Sequence, residues 1–280
     1  MSHSESVPST SSAHTGFEVL DAEHLDARLS AVREALRLCP TEVPASLSIP
    51  AHKALDAVAQ RLALGVDHTV VALFGGTGSG KSSLFNALTQ LNFADVGARR
   101  PTTSRAAACS WGDDAGPLLD FLGVSSERRI RGDSILDGED QGSMSGLVLL
   151  DVPDYDSVTT EHSLQVDRLV PLADILVWVV DPQKYADAAL HDGYLRGLGA
   201  RQEDMLVLVN QVDTLPESGL ASLLDDVGSL LKDDGLSQVQ VLPVSAVRGD
   251  NLDVVRSMLR QRVARESNAA RTASAELDAI

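Results

Sequence analysis

The eight residues GGTGSGKS, from Gly75 to Ser82, restrict the possible fold more than any other part of the chain. They match the pattern G-x-x-x-x-G-K-(S/T), and they lie between an apolar run and a segment with helical spacing. Glycines allow consecutive backbone N–H groups to point inward, and the start of a helix adds its positive dipole end at the same place. The stretch therefore predicts a phosphate-binding loop between a β-strand and an α-helix.

The residues of this loop have separate parts in holding a polyphosphate. Lys81 would reach the β- and γ-phosphates, and the Ser82 hydroxyl would coordinate Mg²⁺. The predicted contacts of the loop come from Gly76, Thr77, Gly78, Ser79, Gly80, Lys81, Ser82 and Ser83. A glycine-rich turn at a helix start is the simpler alternative. The flanking strand and helix patterns favour the phosphate loop, because structural context confirms such a motif.

From residue 68 onward, short apolar runs alternate with amphipathic helical patterns, which is typical of parallel βαβ units. The predicted strands are Thr69–Phe74, Ala106–Trp111, Leu147–Leu150, Asp174–Val180, Met205–Val209 and Val239–Leu242. The predicted helices are Ser82–Leu91, Tyr185–Leu195, Glu217–Lys232 and Asn251–Glu266. Several strands are almost wholly apolar, as strands covered on both faces are. We expect an α/β fold with a mostly parallel central sheet and helices on both faces.

Two further helices are predicted before the sheet. The first is Phe17–Leu38, and the second contains Leu55, Val58 and Leu62 on one face. Pro40, Pro44 and Pro50 are interpreted as breaks in the helical pattern between them. The predicted organisation is a disordered leader at 1–16, a helical extension at 17–65, the main domain at 66–266 and a polar tail at 267–280.

Composition and charge disfavour several kinds of protein. No run approaches the roughly 20 apolar residues of a membrane-spanning helix, and the N-terminus lacks the order of a secretory signal, so we expect a cytoplasmic protein. Only Cys39 and Cys109 are present, outside metal-ligand spacing, which argues against zinc and for buried free thiols. The net charge of −17 gives no strong case for nucleic acid as a partner.

Two later segments bear on the base of the nucleotide. The first, VLVNQVDTL, places Asn210, Gln211 and Asp213 just after an apolar strand. The Asp213 carboxylate can accept two hydrogen bonds from the N1 and N2 edge of guanine, whereas adenine offers no such donor pair and leaves the carboxylate unpaired. The second, VLPVSAVRG, places Ser245 and Ala246 at another strand end, where a backbone N–H can meet the guanine O6.

In this order the motifs resemble those of P-loop GTPases of the translation-factor-like class, closest to the Era-like branch, over residues 69 to 266. GGTGSGKS resembles the first motif, RRPTTSR the switch I segment, LLDVPD the Asp-x-x-Gly motif, NQVD the Asn-Lys-x-Asp motif and SA the last. WVVDPQKYADAALHDGYL also resembles actinobacterial GTPases whose GTP-binding domain precedes a membrane-anchored C-terminal region. Residues 66–266 are then a GTP-binding domain, and membrane association is expected only if the chain continues beyond residue 280.

The resemblance implies GTP and GDP as ligands, with Mg²⁺ as cofactor. Thr103, or Thr102 if the register slips by one, would bind Mg²⁺ and the γ-phosphate, and the implied catalytic residues are Lys81 and Thr103. Asp151 would hold the metal through a water, so the implied metal set is Ser82, Thr103 and Asp151. An ordinary Pro-Thr-Thr loop is the alternative for the threonines. The implied function is hydrolysis of GTP to GDP and phosphate as a molecular switch, with an unknown protein partner or a self-dimer.

Three positions depart from the family pattern. Asp154 stands where the family has glycine, which keeps a backbone N–H for the γ-phosphate but adds a negative charge beside it. Tyr155 stands where Ras-type enzymes carry the glutamine that orients the attacking water, and Gln211 replaces a lysine. We expect slow hydrolysis without a partner. Gly78 is not the asparagine of potassium-stimulated members, so potassium dependence is not expected.

Two other functions compete with a switch. A GTP-binding recruitment module with negligible turnover fits Asp154 and Tyr155 equally well. A P-loop kinase or ATPase would account for GGTGSGKS but leaves NQVD and the SA pair unexplained. The polar residues that follow in the second switch segment, Asp156, Glu161 and His162, are interpreted as solvated loop residues, because a catalytic base must lie within hydrogen-bond reach of its proton.

Overall fold

The computed structural model describes residues 22–38, 44–63, 68–91, 105–132, 144–156 and 160–263. The strands are β1 Thr69–Gly75, β2 Ala107–Ser110, β3 Arg129–Arg131, β4 Leu147–Asp151, β5 Ile175–Val180, β6 Met205–Val209 and β7 Gln240–Pro243. The helices are α1 Ala22–Leu38, α2 Ala45–Ala63, α3 Lys81–Thr89, α4 Gly116–Leu122, α5 Thr160–Leu169, α6 Ala188–Gly193, α7 Glu217–Asp233 and α8 Leu252–Val263. The described strands form one sheet in the order β3-β2-β4-β1-β5-β6-β7.

The sheet is parallel apart from the antiparallel pair β2 and β4. The mostly parallel α/β fold predicted from the sequence is therefore confirmed. In the register of the sheet, Leu73 of β1 pairs with Asp151 of β4, and Gly75 pairs with Val179 of β5. The carboxyl ends of the central strands therefore lie along one edge, which is where ligands bind in open α/β sheets.

Alternate side chains of the strands enter two separate cores, one on each face of the sheet. On β1, Val70, Ala72 and Phe74 belong to the core covered by α4, α5, α6 and α7. Val71 and Leu73 belong to the other core, covered by α3 and α8. Because both faces are covered, the central strands have no polar face, which is why they are nearly continuous apolar runs in the sequence.

The first two helices form a small cluster of their own beside the sheet. Leu29 of α1 and Leu55 and Val58 of α2 are buried together. Ala57 packs against the larger core, so α2 also contacts the main domain. Pro50 lies inside α2, and the prediction that it breaks the helix is wrong. Burial of the α2 side chains against α1 outweighs the one backbone hydrogen bond that a proline removes.

Three elements of the fold are absent from the sequence-based prediction. These are β3, α4 and α5. Among the helices that the structure describes, none combines the length and apolar character needed to cross a bilayer. Cys109 is buried in β2, whereas Cys39 lies outside the described residues. The predicted leader at 1–16 and tail at 267–280 also lie outside them.

Candidate nucleotide-binding site

The predicted phosphate loop connects β1 to α3. Residues 76–80 form the turn, and Lys81 begins α3, followed by Ser82 and Ser83. Gly78 and Gly80 both have a φ of +84°, in the left-handed region that favours glycine. A Cβ on Gly80 would lie 2.3 Å from Nδ2 of Asn210, so the loop can approach that side chain only with glycine at this position. The backbone at the start of α3 is thereby positioned as an anion-binding turn.

Lys81 is buried in the loop and forms an ion pair. Its Nζ donates to Oδ1 of Asp154, and the two side chains are only 3% and 7% exposed. Asp154 follows β4, which lies next to β1 in the sheet, so this carboxylate lies beside the loop that follows β1. Because Asp154 stands where the family has glycine, a carboxylate contacts the lysine that is expected to bind phosphate.

The two predicted metal ligands that the structure describes are in contact. Ser82 Oγ donates to Oδ2 of Asp151 at 2.6 Å. Oδ1 of Asp151 is buried and, within the described part of the chain, has no hydrogen-bond partner. Burial raises the pKa of Asp151 to about 6, although the charge of Lys81 and the hydrogen bond from Ser82 oppose that rise. A hydroxyl beside an unsatisfied carboxylate oxygen is a donor set that fits Mg²⁺. Thr102 and Thr103 lie outside the described residues.

Asp156 also contacts the phosphate loop, so its interpretation as a solvated residue is wrong. Its Oδ1 accepts hydrogen bonds from the backbone N–H of Thr77 at 2.7 Å and from Thr77 Oγ1 at 2.9 Å. The preceding Tyr155 is buried in an aromatic cluster with Trp178 and Tyr194. Burial of this ring turns the chain so that Asp156 faces the loop. The contact joins residues distant in sequence, and no local pattern signals it.

Two other residues differ from expectation. His162 is buried, so the solvated interpretation is also wrong for that side chain. The side chain of Glu161 lies outside the described part of the structure. Lys184, which sequence reasoning did not single out, donates from Nζ to the Thr77 carbonyl at 3.2 Å. Its position shortly after β5, at the edge where the other strands end, is the signal that could have found it.

The predicted base-recognition segments lie next to the loop. Asn210 follows β6, and its Nδ2 donates to the Ser79 carbonyl at 2.9 Å while its Oδ1 accepts from Ala246 N at 3.2 Å. The side chain of Gln211 donates to the Gly78 carbonyl at 2.7 Å. The buried Asn210 therefore links the phosphate loop to the segment after β7.

Asp213 is held by a hydroxyl that the sequence-based prediction did not assign to it. Ser245 Oγ donates to Oδ1 of Asp213 at 2.6 Å. The backbone N–H of Ser245 donates to the Asp250 carbonyl, and that of Ala246 is used by Asn210. In this arrangement the side chain of Ser245 orients the carboxylate expected to accept from guanine. The structure thus brings the predicted phosphate, metal and base residues to one edge of the sheet, apart from the threonines that it does not describe.

Comparison with known families agrees with this arrangement. The model of a family described as 50S ribosome-binding GTPase matches residues 70–211, slightly more than half of the 280 residues. The chain belongs to this GTPase family. Membership makes it a GTP-binding P-loop protein, and the matched region contains the phosphate loop, Asp151 and Asn210. No curated protein matches the sequence.

Solved structures also resemble this GTPase. Two chains of an oligomerised bacterial dynamin pair, described as providing a mechanism for long-range sensing and tethering of membranes, are each 16% identical to it. These matches cover 91% of this chain but 54% and 45% of the dynamin chains, with TM-scores of 0.50 and 0.52. The GTPase therefore spans about half the length of those chains. Era in complex with MgGDPNP and nucleotides 1506–1542 of 16S ribosomal RNA is 18% identical, with 69% of this chain and 57% of Era covered and a TM-score of 0.49. The similarity to the dynamin chains concerns the fold alone.

Proposed function

We propose that this GTPase is a molecular switch that hydrolyses GTP to GDP and phosphate, slowly when it acts alone. The observation that carries the proposal is the double hydrogen bonding of buried Asn210. This side chain ties the phosphate loop at Ser79 to the segment after β7 at Ala246. One nucleotide bound along this edge would meet both groups at once.

The residues divide the recognition of GTP between its two ends. The backbone N–H groups of the loop and the ammonium group of Lys81 bind the phosphates. Asp213 accepts the N1 and N2 hydrogens of guanine, and Ser245 holds its carboxylate in orientation for that contact. A bound adenine would leave the carboxylate without donors, so selectivity for guanine amounts to several kcal/mol, about a hundredfold or more in affinity.

Ser82 and Asp151 are the described residues that would hold Mg²⁺, together with Thr103 or Thr102 from the first switch segment. When bound there, Mg²⁺ supplies positive charge against the β- and γ-phosphates. The unsatisfied Oδ1 of Asp151 supports this assignment, since a buried carboxylate oxygen otherwise loses hydration without compensation. Hydrogen bonding to Ser82 fixes the carboxylate in the same place before the nucleotide arrives.

Slow turnover follows from the position of Tyr155. Where Ras-type enzymes have a glutamine that orients water, this chain buries an aromatic ring against Trp178 and Tyr194. A residue supplied by a partner or by a second copy of the chain would then be needed for fast hydrolysis. The dynamin pair with a similar fold is described as oligomerised, which supports testing a second copy first.

The proposal is tested by competition for labelled GTP on the purified chain, followed by a time course of phosphate release. We expect GTP and GDP to compete strongly, ATP weakly, and phosphate release to be slow and to require Mg²⁺. Lys81→Ala serves as the blank for both measurements. Equal competition by ATP, or phosphate release that persists in the Lys81→Ala variant, would contradict the proposal.

A GTP-binding recruitment module with negligible turnover is the second candidate. The pairing of Lys81 with Asp154 favours it, because the lysine is engaged by a carboxylate instead of being open to the γ-phosphate. Incubation with GTP for hours, at rising protein concentration and with lipid vesicles, separates the two. Absence of GDP in every condition supports the recruitment module, whereas concentration-dependent GDP formation supports the switch.

The cellular location and the longer-chain context stay predictions from the sequence. The cytoplasmic location rests on the composition of the sequence, and membrane association rests on the resemblance to actinobacterial GTPases. Fractionation of cells that make the intact protein tests this point. Recovery with the membrane pellet supports attachment, and recovery in the supernatant alone contradicts it.

A further inference from the structure

The phosphate loop of this structure already carries anions from its own chain. Asp154 engages the buried ammonium group of Lys81, and Asp156 engages the N–H and hydroxyl groups of Thr77. Both carboxylates come from the short segment that follows β4, and both contact groups of the loop expected to face phosphate. The segment thus occupies part of the phosphate-binding site.

Lys81 and Asp154 are both buried, so the charge of each depends on the other for compensation. Breaking a buried ion pair by removing one partner leaves an uncompensated charge, so Lys81 can release Asp154 only when another anion replaces it. A terminal phosphate and Asp154 carry charges of the same sign, and repel each other strongly where water is largely excluded. Lys81 has three N–H donors, so a β-phosphate can take one while Asp154 keeps another. Addition of a γ-phosphate brings further negative charge to this lysine, where it is repelled by the carboxylate of Asp154.

We propose that Asp154 is an internal competitor for the γ-phosphate, which makes this GTPase select GDP over GTP until Asp154 is withdrawn from Lys81. This inference rests on the proposed function, because it requires a guanine nucleotide bound at Lys81. Glycine at the same position would provide the backbone N–H without the competing charge. The departure from the family pattern is therefore a determinant of which nucleotide state is favoured.

Withdrawal of Asp154 also moves its neighbours. Asp156 is two residues away and is bound to Thr77, so a shift of this segment strains or breaks the contacts of Asp156 as well. Binding of the triphosphate would thus be coupled to the contacts that Asp154 and Asp156 make with the phosphate loop.

The test compares affinities for GDP and for a GTP analogue with a β,γ-imido bridge, both with Mg²⁺. We expect the wild-type chain to bind GDP roughly tenfold or more tightly than the analogue. Asp154→Asn removes the charge and keeps the size, and Asp154→Gly restores the family residue. Both variants are expected to shift the ratio of affinities toward the analogue by roughly tenfold or more. Asp226→Asn, an exposed carboxylate change on α7, is the matched control and is expected to leave the ratio unchanged.

The outcomes separate this inference from the function on which it rests. A wild-type chain that binds neither nucleotide contradicts both. A wild-type chain that binds both, without preference for GDP, overturns the role of Asp154 and leaves GTP binding intact. The role of Asp154 is also overturned if an Asp154 variant keeps the circular dichroism spectrum of the folded protein and has the same ratio of GDP to analogue affinity as the wild type. If neither variant folds, the wild-type chain decides the question: tighter binding of GDP than of the analogue supports the inference, and equal binding overturns it.

Discussion

Replacement of Asn210 by alanine is expected to destabilise the nucleotide-free protein more than the small size of the asparagine side chain suggests. Asn210 is 1% exposed and makes a hydrogen bond at each end of its amide group, to the Ser79 carbonyl and the Ala246 N–H. Each lost bond costs about 1 kcal/mol, and a partner left buried without water costs up to about 3 kcal/mol. The two together are worth about 2 to 4 kcal/mol. For a domain of this size, that lowers the melting temperature by roughly 10 °C.

Thermal unfolding followed by circular dichroism, without nucleotide, measures this effect. Gln211→Ala is the matched control, because its amide also donates to a loop carbonyl, at Gly78, but in an exposed contact. That variant is expected to lose less than about 1 kcal/mol and to melt within about 3 °C of the wild type. Equal shifts for the two variants would refute the reasoning, since burial and the second bond of Asn210 would then contribute nothing.

Further variants test other contacts of the site. Gly80→Ala places a Cβ 2.3 Å from Nδ2 of Asn210 and is expected to abolish nucleotide binding. Gly78 has the same φ of +84°, but a Cβ there would have nothing within 4 Å, so Gly78→Ala is expected to lose only about 1 kcal/mol of stability. Nucleotide-binding and melting curves compare the two variants. Ser245→Ala frees the carboxylate of Asp213 and is expected to reduce the ratio of GTP to ATP affinity by roughly tenfold, measured by competition. Burial raises the pKa of Asp151 from 3.8 to about 6, so its unfavourable contribution to the free energy of unfolding grows as pH rises from about 4 to about 6 and levels off above that. Asp151→Asn is therefore expected to stabilise the metal-free, nucleotide-free protein by about 3 kcal/mol at pH 8 and by almost nothing near pH 4, checked by urea unfolding at both pH values.

The sheet could be predicted from the sequence where its strands are covered on both faces. The run from Thr69 to Phe74 is apolar after its first residue, and it falls within β1 as the structure has it. β3 could not be found in this way, because three residues at a sheet edge, two of them arginine, have no apolar pattern. Short helices such as α4 are equally hard to detect, since seven residues give fewer than two full turns of periodicity.

The residues of the candidate site also fall into those that the sequence reveals and those that only the structure reveals. Residues that belong to an ordered motif, such as Lys81 and Asp213, are visible because each motif follows a strand whose end lies at the same edge. The contacts of Asp154 and Asp156 join positions 73 and 79 residues apart, and depend on how the chain turns after β4. Tyr155, which lies between these two residues, is buried against Trp178 of β5 and Tyr194 just after α6. Only three-dimensional packing reveals such contacts.

The central claim is that one guanine nucleotide bridges the phosphate loop and Asp213. Affinities of the wild type and Asp213→Asn for GTP and for xanthosine triphosphate test it most directly, because the C2 carbonyl of xanthine suits an amide donor in place of a carboxylate acceptor. We predict that the wild type binds GTP far more tightly than xanthosine triphosphate, and that the variant reverses this order. A variant that binds GTP as tightly as the wild type would contradict the assignment of Asp213 to the base, and with it the bridging nucleotide.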